Sequence, residues 1–294
     1  MFRVAFIGLG AMGAPMAANL AASGYDIAGF DASASARENA AGQGVRVRAT
    51  AAQAAEGADA VVTMLQAGAQ VLSVWEALLP RAADALFIDC STIDLASARR
   101  AHGLARESGA LSVDAPVSGG VVGARAAKLT FMCGAEPEAF ERAQPILKAM
   151  GARIIHCGGP GLGQAAKICN NLMLGVAMAA TAEAFALAEK LGLSNQALFD
   201  VASVSSGQSW SLTSYCPVAG LTPDSPANHD YRAGFQTKLM LKDLRLAETA
   251  AADCGLDTPM ASAAARLYCD YAIQGGEEKD FSGVINATRR RRAS

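Results

Sequence analysis

Gly8-Leu9-Gly10-Ala11-Met12-Gly13 constrains this chain more than any other segment. It follows Val4-Ala5-Phe6-Ile7, a short apolar run of strand character. It opens an alanine-rich helix from Ala14 to Ser23, which Gly24 can cap. Glycines spaced this way between a strand and a helix have a physical reading. The first makes the turn, the second lets backbone approach a pyrophosphate, and the third packs helix tightly on strand. The helix N-terminus then offers N–H groups and partial positive charge to phosphates. Ile27-Ala28-Gly29-Phe30 reads as the second strand, and Asp31 ends it, eighteen residues after Gly13. A carboxylate there accepts both ribose hydroxyls of NAD and repels the 2′-phosphate of NADP. Arg37 is the nearest cation and does not directly follow Asp31, so NAD is expected over NADP.

The same alternation continues through the first half. Ala60 to Leu65, Leu86 to Asp89, Leu111 to Asp114, Leu129 to Cys133 and Arg153 to His156 read as strands. Ala96 to Glu107 and Pro137 to Met150 read as helices. Short apolar strands alternating with helices predict an α/β fold with a Rossmann-type, doubly wound parallel sheet covered on both faces. Gly158-Gly159-Pro160-Gly161 ends the pattern, and only helices are expected beyond it. The predicted division is residues 1–160 for the dinucleotide-binding domain and 161–294 for an all-α domain.

The helical half starts with Gly161-Leu162-Gly163-Gln164-Ala165-Ala166-Lys167-Ile168-Cys169-Asn170-Asn171. Its helix is expected from about Gly163 to Leu191, apolar on most of its circumference between Asn171 and Glu183. Such a helix is buried on all sides, and a second subunit would supply part of that burial. Lys167 and Asn171 share one face at i and i+4. A lysine acting as a base near neutral pH needs partial desolvation or a neighbouring cation. The apolar helix offers the first and Lys242 the second. Further helices are expected over Asn195 to Ser203, Thr237 to Cys254 and Pro259 to Gln274. Ser205 to Ala233 reads as a long irregular stretch whose aromatics point to a functional loop.

Asp114-Ala115-Pro116-Val117-Ser118-Gly119-Gly120 follows the fifth strand. Its hydroxyl and unshielded N–H groups suit a carboxylate, and an ordinary Gly-Gly turn is the equal alternative. The histidines promise less. His102 lies on a surface-like helix, and none of the three has a carboxylate at useful spacing.

The bulk properties narrow the function classes. With 294 residues, 52% of them hydrophobic, a large core is available. A net charge of −2 gives no reason to expect nucleic acid or an anionic membrane as partner. Arg289 to Arg292 reads as a solvated tail. Seven cysteines without a C-x-x-C pair read as reduced thiols in a cytoplasmic chain, with no metal site expected. Cys169 reads as a small buried hydrophobe. No targeting peptide is visible, and Leu172 to Ala182, at eleven residues, is too short to span a membrane.

Taken with their order, four segments resemble the signatures of the β-hydroxyacid dehydrogenases: Gly8 to Leu20, Asp114 to Gly120, Gly161 to Asn171, and Lys238 to Asp243. The nearer likeness is to the 3-hydroxyisobutyrate dehydrogenase branch. It is carried by Ala166 to Asn171, Ser205-Ser206-Gly207 through Trp210, Tyr215 to Val218, and Gly234-Phe235. The resemblance implies Lys167 as acid/base and Asn171 as the residue orienting substrate. It implies Ser118, Gly119 and Gly120 on the substrate carboxylate. Leu65, Gln66, Thr92 and Lys242 would line the cofactor, and Trp210 and Phe235 would surround the methyl branch. Gln66 departs from the pattern, which often has proline there. Asn170 stands where 6-phosphogluconate dehydrogenases have histidine, which argues against a phosphorylated sugar acid.

The expected activity is NAD-dependent oxidation of (S)-3-hydroxyisobutyrate to methylmalonate semialdehyde, as in valine breakdown, by a homodimer or homotetramer. The alternatives are a reductase of the same family acting on tartronate semialdehyde, glyoxylate or succinate semialdehyde, or a non-catalytic NAD-binding sensor.

Overall fold

In a computed structural model, residues 1–82 and 84–290 are described, and they form two compact units, Met1–Lys167 and Ile168–Ser294. The first unit begins β1 (Arg3–Ile7), α1 (Gly13–Ala22), β2 (Asp26–Phe30), α2 (Ala34–Ala41), β3 (Arg46–Val47), α3 (Ala51–Ala55), β4 (Ala60–Thr63) and α4 (Gly68–Leu78). It continues with β5 (Leu86–Asp89), α5 (Leu95–Glu107), β6 (Ser112–Asp114), β7 (Val117–Ser118), α6 (Gly120–Arg125), β8 (Leu129–Gly134), α7 (Pro137–Lys148) and β9 (Gly151–Gly158).

The strands form one sheet in the order β3-β2-β1-β4-β5-β6-β8-β7, with β9 also paired to β8. Strands β1 to β6 run parallel. Their order reverses between β1 and β4, the crevice where open α/β sheets bind ligands. Both faces are covered, as the near-continuous apolar strands require. Val4, Phe6, Val62, Ile88 and Val113 pack on one side with Leu20 and Leu147. Ala5, Ile7, Val61 and Phe87 pack on the other with Trp75 and Ala105.

Strand–helix alternation predicts a wholly parallel sheet, and the sheet departs from this at one place. Strand β8 runs antiparallel to β6 and β7. The cause is local: only the six-residue helix α6 and its flanks join β7 to β8. A parallel return needs a crossover of a dozen or more residues.

Register places the chemistry. Ile7 pairs with Phe30 and Thr63, Thr63 with Asp89, and Asp89 with Asp114. The segments after β1, β2, β4, β5 and β6 therefore emerge along one edge of the sheet. These segments carry Gly8, Asp31, Leu65, Thr92 and Ser118.

Helix α8 (Leu162–Lys190) follows, about 43 Å long at 1.5 Å per residue. By length and composition the whole helix is apolar enough to cross a membrane, which the eleven-residue estimate missed. Its packing in the second unit is that of a core helix. Met178, Ala182 and Phe185 are buried, and Gly175 meets Leu244 and Met240 so closely that a Cβ would lie 2.9 Å from one and 3.1 Å from the other. Burial is not all round, since Met173 and Leu187 are exposed.

The second unit continues with α9 (Asn195–Ala202), α10 (Trp210–Thr213), α11 (Thr237–Asp253), α12 (Pro259–Tyr271) and α13 (Ile285–Arg290). Helix α10 and a 3-10 turn at Pro226–His229 break up the stretch expected to be irregular. Within the expected tail, Arg289 is in α13 and pairs with Glu189 through Nη2–Oε1 at 2.5 Å, so it is not merely solvated. Arg291 and Arg292 lie outside the described residues.

Candidate active site

The glycine turn is built by backbone crowding. Gly8 has φ +98°, and a Cβ there would sit 2.2 Å from the Met64 carbonyl oxygen. A Cβ on Gly13 would sit 1.9 Å from the Gly8 carbonyl oxygen. Gly10 differs: among the described residues nothing lies within 4 Å of the position a Cβ would take, so they do not require glycine there. That opening fits a pyrophosphate approaching Leu9 to Met12, at the N-terminus of α1, which no side chain caps. The residues present therefore suit a dinucleotide.

Asp31 accepts hydrogen bonds from the Leu9 N–H (2.7 Å) and the Ser33 N–H (2.8 Å). These bonds fix the carboxylate beside the glycine turn and leave lone pairs for hydroxyl donors. Arg37 is closer than its sequence position implied. Its guanidinium donates to the Asp31 carbonyl oxygen at 2.6 Å and lies 5.9 Å from the Phe30 ring centroid. One turn of α2 carries it back over the end of β2.

The next loops are tied by Ser91. Its hydroxyl donates to Asp89 (2.6 Å) and accepts from the Leu65 N–H (2.8 Å). Asp89 also accepts from the Thr63 hydroxyl, which accepts from the Trp75 indole N–H. Asp89 is fully buried, and desolvation pushes its carboxyl up to about 6 despite these donors. Gln66 is exposed, with its N–H on the Gln70 side chain at 3.1 Å. Thr92 is half-buried between Ser91 and Ile93.

Asp114 turns out to be a structural centre. Its Oδ1 accepts from the Gly161 N–H and its Oδ2 from the Gln164 N–H, each at 2.7 Å. It thus caps the start of α8, where four N–H groups lack helical partners. A Cβ on Gly163 would lie 2.3 Å from the Met132 carbonyl oxygen and 2.6 Å from that of Asp114. Gly163 therefore serves close approach to the strand ends, and Gly161, at φ +84°, makes the turn into the helix.

His102 corrects another expectation. It is buried, not on a surface, with Nε2 at 2.8 Å from Asp114 and Nδ1 at 2.7 Å from the Ser112 hydroxyl. Its carboxylate lies twelve residues away on β6, a spacing no motif advertises. Ser118 is half-buried, and Gly119 (φ +127°) and Gly120 (φ +60°) follow with left-handed backbone at the start of α6. Side chains would strain both positions.

Lys167 is 8% exposed on α8, as desolvation requires. Cys169 points elsewhere and is exposed, contrary to the buried role expected. In the second unit Asn171 is buried. Its amide donates to Asp243 at 2.5 Å and its oxygen accepts from Asn170 at 3.0 Å. Lys242 Nζ lies 3.7 Å from the same Asp243 carboxylate.

The aromatic residues of this unit form a row. Trp210 stacks on Tyr215 (4.8 Å between centroids), Tyr215 on Phe281 (5.6 Å), and Phe235 meets Phe281 edge-on (5.6 Å). Trp210 is 51% exposed. Asp280 holds the row together. Its Oδ2 accepts from the Tyr215 hydroxyl and from the Gly234 and Phe235 N–H groups, each at 2.9 Å. Its Oδ1 accepts from the Ser282 N–H and hydroxyl. Burial and this carboxylate push the Tyr215 hydroxyl far above its ordinary range. Sequence reasoning missed Asp280. The available signal was Asp-Phe-Ser, an aspartate two residues before a serine, which suits an Asx turn.

Comparison with known proteins bears on the family and the fold. Residues 3–159 match the NAD binding domain of 6-phosphogluconate dehydrogenase, and residues 161–288 match the NAD-binding domain of NADP-dependent 3-hydroxyisobutyrate dehydrogenase. A probable 3-hydroxyisobutyrate dehydrogenase of Mycobacterium tuberculosis is 49% identical over 99% of each chain. An NAD-dependent L-serine dehydrogenase of Pseudomonas aeruginosa is 46% identical over 97% of each. The solved structure of Mycobacterium tuberculosis 3-hydroxyisobutyrate dehydrogenase with L-serine superposes with a TM-score of 0.94, covering 98% of this chain and 99% of that one.

Proposed function

This chain belongs to the β-hydroxyacid dehydrogenase family, as a 3-hydroxyisobutyrate dehydrogenase-like oxidoreductase using a nicotinamide dinucleotide, and from that premise we propose that it oxidises (S)-3-hydroxyisobutyrate to methylmalonate semialdehyde. The observation carrying the reading is Lys167, a buried lysine on the same α8 face as the buried amide of Asn171.

Gly8 to Gly13 and Asp31 would hold the dinucleotide, with Leu65, Gln66, Thr92 and Lys242 along it. Bound there, the oxidised nicotinamide supplies the hydride acceptor. Ser118, Gly119 and Gly120 would bind the substrate carboxylate. The neutral Lys167 amine takes the hydroxyl proton as the carbon-bound hydrogen leaves with its electron pair. The alcohol becomes an aldehyde and Lys167 ends protonated. Asn171, its amide fixed by Asp243, would hold the substrate hydroxyl in place. Trp210 and Phe235 would enclose the methyl branch. NAD is proposed over NADP because the Asp31 carboxylate would repel a 2′-phosphate, although Arg37 stands close enough to weaken that preference.

A second reading has one specific support. L-Serine differs from 3-hydroxyisobutyrate by an ammonium in place of the methyl, and an L-serine dehydrogenase is among the similar proteins. NADH formation against 3-hydroxyisobutyrate, L-serine and 3-hydroxypropionate, repeated with NADP, separates these readings. The proposal requires the highest kcat/KM for 3-hydroxyisobutyrate with NAD. Higher kcat/KM for L-serine would replace it.

The exposed Met173 and Leu187 on α8 support a homo-oligomer, in which a second copy covers them, within a cytoplasmic setting that keeps the thiols reduced. A monomer in sedimentation at micromolar concentration would contradict the assembly.

A further inference from the structure

Gln164 is fully buried one turn before Lys167, and both ends of its side-chain amide are occupied. Nε2 donates to the Ser91 carbonyl oxygen at 2.7 Å, and Oε1 accepts from the Ile93 N–H at 3.2 Å. Those two backbone groups flank Thr92. The backbone N–H of Gln164 donates to Asp114. Ser91 in turn receives the Leu65 N–H. One buried amide thus ties the first turn of α8 directly to the loop after β5, and through Ser91 to the loop after β4. Packing alone would be served by a leucine or methionine, and a buried amide is costly unless its partners are met. Gln164, Lys167 and Asn171 occupy positions i, i+3 and i+7, so they form one polar stripe on an apolar helix.

We infer that Gln164 is a positioning residue that holds the cofactor loops Leu65–Gln66 and Ser91–Ile93 in register with the helical turn bearing Lys167. Cofactor affinity and proton transfer then depend on the same side chain. The inference rests on the proposed role of Lys167, and its own content is the coupling. A merely structural glutamine would affect stability and leave the folded enzyme's cofactor affinity and turnover intact.

The test uses full-length Gln164→Met, which keeps volume and loses both hydrogen bonds, and Gln164→Glu, which keeps the acceptor for Ile93 and opposes the Ser91 carbonyl. NADH dissociation constants come from fluorescence titration and kcat from saturating NAD, on protein shown folded by circular dichroism. The expected result for Gln164→Met is NADH binding weakened and kcat lowered, each by about tenfold, the scale of lost hydrogen bonds whose partners stay buried. Gln164→Glu should show the same paired losses, and it decides the matter if Gln164→Met does not fold. Both quantities within twofold of the parent, or a loss in kcat with NADH affinity unchanged, overturns the inference. Lys167→Met measured in parallel keeps the failures apart. Parent-like turnover in that variant removes the acid/base reading, whereas its loss together with a parent-like Gln164→Met removes only the coupling.

Discussion

The two units hold their candidate functional residues in place by different means. In the first, strand register does the placing: β1, β2, β4, β5 and β6 end along one edge, and the residues that follow them arrive together. Among the described residues of the second, no sheet supplies an edge. Two buried carboxylates do the work, Asp243 on Asn171 and Asp280 on Tyr215, Gly234 and Phe235, joining segments 45 to 72 residues apart. Backbone periodicity leaves a pattern in sequence. A carboxylate hub leaves one unremarkable aspartate. The parallel strands of the first unit should therefore keep their register when a single polar side chain is lost, whereas the aromatic row of the second should not survive loss of its carboxylate.

Three experiments press on that contrast. Replacing Asp280 with Ala leaves the Gly234, Phe235 and Ser282 N–H groups without their acceptor. It should cost about 3–5 kcal/mol in urea unfolding and expose Trp210 further by fluorescence, since a broken buried network strands its partners. A loss below about 1 kcal/mol would mean that the aromatic row holds itself.

Asp89 makes a smaller, pH-dependent case in the first unit. Its carboxyl is raised from an ordinary value of 3.8 to about 6. The fold therefore favours the protonated form. The associated stability is present below about pH 4 and is lost as pH rises through 6, a total of about 2–3 kcal/mol. Measured against Asp89→Asn, which does not titrate, the parent should lose relative stability between pH 4 and 7. A flat difference would place an ordinary carboxylate there.

The smallest expected effect is at Asp31. Changing it to Ser should raise the KM for NAD about tenfold, or about 1–2 kcal/mol, and improve the use of NADP. Arg37 already lies at the end of β2 to receive a phosphate. An unchanged KM would move the ribose elsewhere.

The same contrast explains how far the sequence could be read. The placement of Gly8 to Gly13 in a tight turn, of Asp31 beside it, and of Lys167 and Asn171 in the interior was legible because their spacing follows strand and helix geometry. Helix α8 was located to within one residue at each end. The antiparallel β8 was not, because it depends on the shortness of a connection and not on strand composition. His102 was misread for a related reason. Twelve residues separate it from Asp114, and only the packing of α5 on β6 makes them partners. Gln164 sat inside a recognised motif without an evident role, because its partners, Ser91 and Ile93, lie more than seventy residues away. Asp280 carried a local turn signal that says nothing of Tyr215 or Phe235.

Everything proposed for the chemistry converges on Lys167. The most direct measurement is single-turnover oxidation of 3-hydroxyisobutyrate by Lys167→Met at saturating NAD, with NADH affinity determined on the same preparation. The predicted result is a rate lower by about two to four orders of magnitude, the range for a lost acid/base group, with NADH binding within about twofold of the parent. A variant that binds NADH normally and turns over at the parent rate would contradict the account.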